Sequence, residues 1–93
     1  MRIIGYIDHP HLKITVFKMD NRWSVKFENE WYEQTFKLTL DERLDNLEAV
    51  KKLVDAGFQG SVLQIFQHMH QTRLLGFARA FPAPDEFGFE DII

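Results

Sequence analysis

The sequence predicts an α+β domain: a four-stranded antiparallel meander followed by two C-terminal helices packed on one face, and then an acidic aromatic tail. Three observations carry this reading. Residues 12–38 alternate apolar and polar with a period of two, the period becomes helical after Leu38, and Pro82 and Pro84 end the helical pattern before a run of acids and aromatics. The 93 residues divide into one domain over 1–81 and a Pro/acid-rich tail over 82–93 with the composition of a flexible segment.

The first strand spans Arg2 to Ile7 and stops at Asp8-His9-Pro10-His11, where proline fixes φ and marks a turn. Taking His9-Pro10 as the turn puts Ile3, Gly5 and Ile7 inward beside Leu12 and Ile14, and leaves Ile4 and Tyr6 outward. The next turn is Asp20-Asn21. Met19 then faces Arg22, Val16 faces Val25 and Ile14 faces Phe27, while Lys13 meets Glu28 on the other face. A second two-residue turn at Asn29-Glu30 would pair Phe27 with Tyr32 and Trp23 with Phe36, and would put Trp31 outward. Both hairpins choose the same inner face, and a slip of one residue in either would destroy that agreement.

Leu47, Val50, Leu53 and Val54 make the stripe of a short helix, with Asp45 as N-cap, Glu48 at N3 and Gly57 placed to end it. A second helix starts after Ser61 as N-cap and carries Val62, Leu63, Ile65, Phe66, Met69, Leu74 and Phe77 to about Ala80.

Chemistry is sparse. The chain has no cysteine, which excludes a disulfide framework, a thiolate nucleophile and cysteine-ligated metal sites. Neither serine lies in a nucleophile elbow, and no phosphate-binding glycine loop follows a strand. An enzymatic role is therefore disfavoured, and no cofactor is implied. Asp41 and Glu42 read as helix-end electrostatics rather than a general acid and base. Asp8-His9-Pro10-His11 offers two imidazoles and a carboxylate within one turn, but no further His/Asp/Glu cluster with ligand spacing is present to complete a site, so metal binding there is not favoured. His68 and His70 lie about 200° apart around a helix and cannot converge on one ion.

Charge is unevenly placed. Residues 1–81 hold 11 Lys and Arg against 10 acids, whereas 82–93 hold four acids and no base. Such a balance disfavours nucleic acid as a partner. No segment is long and apolar enough to span a membrane, and the amino-terminal residues lack a signal-peptide apolar region, so a cytoplasmic location is expected.

Two candidate sites remain. On a helical wheel His70 and Arg73 fall within the apolar arc of the second helix, and Gln34 is the odd polar residue among inward aromatics. Together they suggest a helix–sheet pocket for an anionic ligand. The other candidate is an interface. Ile4, Tyr6, Phe17 and Trp31 are apolar yet outward-facing, so a cover is expected from a second copy, a different partner, or the tail through Phe87, Phe89, Ile92 and Ile93. The leading expectation is a non-enzymatic interaction module that forms a homodimer through the outer face of its sheet, with the tail as a second contact element.

Overall fold

The computed structural model describes residues 1–39 and 41–82. The tail beyond Pro82, with the interface candidates Phe87 and Phe89, lies outside the described residues. Strands β1 (Arg2–Ile7), β2 (Lys13–Met19), β3 (Arg22–Glu28) and β4 (Glu33–Leu38) form one antiparallel sheet in sequence order, followed by α1 (Leu47–Leu53) and α2 (Ala56–Ala80). This is the expected α+β meander with its helices after the sheet.

The β2–β3 hairpin has the expected register throughout, with Met19 opposite Arg22 and Ile14 opposite Phe27. The other two hairpins differ. In β3–β4 the partners are Trp23 and Leu38, Val25 and Phe36, and Phe27 and Gln34, a shift of two residues from the expected pairing. The cause is a four-residue loop. Asn29 Oδ1 accepts from the backbone N–H groups of both Trp31 and Tyr32 at 2.9 Å, so the asparagine side chain closes a longer turn. Because the side-chain period is two, this shift leaves the inner face unchanged.

In β1–β2 the turn is also longer than expected, so that Ile7 faces Ile14, and a bulge sits between Ile3 and Gly5. The extra residue is Ile4. It reverses two assignments: Ile4 is half-buried and packs against the core, while Ile3 lies opposite Phe17 and is 52% exposed.

The helix boundaries differ as well. Asn46, not Asp45, caps α1, accepting from Ala49 N at 2.9 Å. Gly57 does not end that helix, because the chain already leaves helical geometry at Val54 (φ −87°, ψ 62°). Asp55 then caps α2 through Phe58 N, and Ser61 lies inside the helix rather than at its cap. Gln59 Nε2 donates to the Val54 carbonyl at 3.0 Å and ties the two helices at their elbow.

One core joins the layers. Ile14, Val16, Trp23, Val25 and Phe27 from the sheet meet Val50 of α1, Val54 at its C-cap, and Val62 and Phe66 of α2. Phe27, Phe36 and Phe58 form a three-ring cluster with centroids 5.1–5.8 Å apart, which fixes the first turn of α2 against β3 and β4. Trp23 is buried, and its Nε1–H donates to the Leu44 carbonyl at 2.9 Å, anchoring the connector before α1.

Candidate functional site

α2 has 25 residues, yet only Val62 and Phe66 are buried along it. At 1.5 Å per residue it is about 37 Å long, while strands of six or seven residues span roughly 20–23 Å. The helix therefore outruns the sheet. Its last contacts with the sheet side are made by the Asn29–Tyr32 loop: Tyr32 Oη lies 2.9 Å from His70 Nδ1, and the Arg73 guanidinium lies 5.4 Å from the Trp31 ring.

Beyond that loop the stripe of α2 continues without cover from any other described element. Residues three and four apart share a helix face, so the row Val62–Phe66–Met69–Arg73 extends to Phe77 and Ala80. Phe77 is 52% exposed and Phe81 is 73% exposed. Their rings lie 6.0 Å apart, and Arg73 also sits 4.9 Å from the Phe77 ring. Arg73 is thus held between two aromatic faces, which leaves the edge of its planar guanidinium, with its N–H donors, able to meet a carboxylate. Among the described residues it forms no ion pair. α2 contains no Asp or Glu at all; its firm charges are Arg73 and Arg79. The result is a ribbon of aromatic, cation and aromatic, starting at Trp31 and ending at Phe81. Comparison with protein-family models, curated proteins and solved structures gives no match for this chain.

The expected residues are placed as follows. His70 and Arg73 do come together at the Trp31–Tyr32 loop, but Gln34 does not join them. Its Nε2 donates to the Val62 carbonyl at 3.0 Å, eight residues earlier on α2, and its buried Oε1 has no hydrogen-bond partner among the described residues. The space beside His70 is an open groove of about 650 Å³, lined among others by Trp31, Leu63 and Phe66, rather than an enclosed chamber between helix and sheet. An open groove of this kind suits a polypeptide segment better than a small anion, which gains most from burial.

Trp31 was expected on the outer sheet face. It lies instead in the four-residue loop, 65% exposed and directed to the α2 side. Tyr6 does face outward and is 53% exposed, and Phe17 is half-buried beside it. The centre of that outer face is covered by its own side chains, for Thr15 and Ser24 are only 2% and 4% exposed. In the β1–β2 turn His9 Nδ1 accepts from the His11 backbone N–H at 3.0 Å, and no cluster of three metal-ligating side chains occurs among the described residues. No described helix is long and apolar enough to cross a membrane.

Tyr32, Phe77 and Phe81 were not singled out as site residues from sequence. Two signals could have found them: the absence of acids from α2, and an apolar row longer than a meander of six-residue strands can cover.

Proposed function

We propose that this protein is a small, non-enzymatic protein-interaction module that presents the end of α2, together with Trp31, to an acidic protein segment carrying aromatic anchors. The observation that carries the reading is the exposed continuation, among the described residues, of the core stripe through Arg73, Phe77 and Phe81 on a helix without acids. Aromatic residues and arginine are the side chains that most often dominate interface energetics, and here they alternate on one surface. Nucleic acid is a poorer fit, because two arginines on the helix supply few phosphate contacts.

The test is a calorimetric titration of the full chain carrying F87A/F89A, so that it offers no aromatic acidic segment of its own. The probe is a nine-residue peptide of alternating Glu and Phe; the control replaces Glu with Lys. Saturable binding of the acidic peptide alone, lost when F77S is added, is the expected result. Equal binding of both peptides, or of neither, overturns the reading.

A second reading, homodimerisation through the outer sheet face, is favoured by Ile3 and Tyr6, each about half exposed beside Phe17. It requires that the light-scattering mass exceed the 11.0 kDa chain and fall to the monomer value in F17E.

A further inference from the structure

We propose that the free edge of β4 pairs antiparallel with the β4 edge of a second copy, about a two-fold axis at Thr35, so that one sheet runs through both chains. The contact is separate from the α2 ribbon and from the outer sheet face, and depends on neither.

The backbone supplies the template. Among the described residues β4 has β3 on one side and no strand on the other. The two-residue turn at Asp20-Asn21 closes on the Met19–Arg22 pair, so Arg22, Ser24, Lys26 and Glu28 bond to β2, and the alternate residues Trp23, Val25 and Phe27 bond to β4. Their partners there are Leu38, Phe36 and Gln34. The N–H and C=O groups of Glu33, Thr35 and Lys37 therefore point away from the sheet, and the bond from the Asn29 N–H to the Tyr32 carbonyl, at 3.1 Å, follows the same alternation. Unpaired groups in a row invite another strand. The opposite edge, β1, is blunted by its bulge between Ile3 and Gly5, whereas β4 keeps an unbroken register. After β4 the connector crosses back over the sheet, where Leu44 accepts from Trp23 and Leu47 covers Gly5 of β1.

Charge selects the partner and the register. Glu33, Thr35 and Lys37 also form the exposed outer row of β4. Glu33 lies opposite Glu28, whose own cation is Lys26 at 3.6 Å, so Glu33 sits beside a like charge; Lys37 lies opposite Ser24. Neither Glu33 nor Lys37 forms an ion pair with another described residue. An axis at Thr35 sets Glu33 of each chain opposite Lys37 of the other, and Thr35 opposite Thr35. An axis at Glu33 or at Lys37 would set like charges face to face, and one at Gln34 or Phe36 would leave both charges opposite uncharged residues. The inner face agrees with Thr35, because Phe36 of each chain then meets Gln34 of the other and Leu38 meets Tyr32, continuing the row that faces the helices. Beside that row lies an open apolar hollow of about 400 Å³, walled by Phe36, Phe58, Val62 and the 43% exposed Ile65. A strand added at this edge lies across its mouth.

The experiment measures the mass of the full chain by sedimentation equilibrium up to about 1 mM, and amide exchange residue by residue by NMR. Pairing predicts a dimer in which the amides of Glu33, Thr35 and Lys37 exchange at least tenfold more slowly as concentration rises, while those of Gln34 and Phe36 are protected throughout. E33K and K37E each create two like-charge pairs across the axis, and each should weaken self-association at least tenfold with an unchanged far-ultraviolet circular dichroism spectrum. E33K/K37E should restore the dimer, and the two single variants, once mixed, should associate with each other more tightly than either does with itself. A mass of one chain at every concentration overturns the proposal; protected Glu33, Thr35 and Lys37 amides in such a monomer would mean that another part of the same chain occupies the edge. A dimer indifferent to both charge swaps also overturns it, and loss of that dimer in F17E would place the contact on the outer face. None of these outcomes alters the peptide titration that decides the role of α2.

Discussion

Trp23 and Gln34 show what single side chains do for this fold. The indole of Trp23 combines burial with a hydrogen bond to Leu44, so W23F removes a donor and some packed area together. The expected loss is about 2–3 kcal/mol in urea unfolding, read by circular dichroism. Gln34 behaves in the opposite way. Its buried Oε1 lacks a partner, and the Val62 carbonyl lies inside α2, where a helical N–H four residues on can serve it. Q34M should therefore be neutral or stabilise by about 1 kcal/mol, since removing an unsatisfied acceptor relieves a desolvation cost. A loss above that size would mean that the Gln34–Val62 bond positions α2. Asp41 adds a pH dependence. Two side-chain bonds from Arg43, at 2.9 and 2.7 Å, hold its carboxyl well below the usual carboxylate range. A depressed folded-state value stabilises above the ordinary carboxylate pKa of about 3.9 and loses that contribution as pH falls below it. D41N should flatten the acid side of a Tm-against-pH profile, and an unchanged profile would show that Arg43 contributes nothing.

At the scale of elements, Gly5 on β1 lies directly beneath the Leu47 side chain at the start of α1. A Cβ there would lie 2.9 Å from Leu47 Cδ2. G5A should cost about 1 kcal/mol by overpacking, and less when L47A is already present; additive losses in a double-mutant cycle would place the strain elsewhere. Elements also show how legible the sequence was. The β2–β3 hairpin could be registered residue by residue because a two-residue turn leaves no freedom in the count. Asn29 is a different case, since nothing in its identity says whether it is a central turn residue or the side chain that closes a longer loop. The Ile4 bulge was invisible for a related reason: adjacent isoleucines satisfy either face, so the pattern carries no signal that one is extra. Gly57 misled because it suits a helix end, but Asp55 caps α2 before the glycine is reached.

For the molecule as a whole, one core serves both layers, and Phe27 touches Phe36 on the sheet and Phe58 on α2. F27A should cost about 3–5 kcal/mol and should shift sheet and helix together, seen as coincident transitions by far-ultraviolet circular dichroism and tryptophan fluorescence. Separate transitions would contradict a shared core. The candidate site was only half legible at this scale. Helical geometry set His70 and Arg73 on the arc that turns toward the sheet side, yet both are exposed, and their neighbours Trp31 and Tyr32 depend on a loop whose length the sequence leaves open. The exposed end of α2 depends on comparing helix length with strand length, a relation between elements that no local pattern states.

Mechanically, α2 is a cantilever. It is held at the Val54–Gln59 elbow, again where Gln34 meets Val62, and a third time where Tyr32 meets His70, and past the Arg73–Trp31 contact no other described residue braces it. A tilt of about 10° at the elbow would swing the tip of a 37 Å arm by roughly 6 Å, and the two outer clamps oppose that swing. Whatever docks at Phe77 and Phe81 therefore meets a stiff beam already aimed, and little ordering entropy of the helix has to be given up on contact.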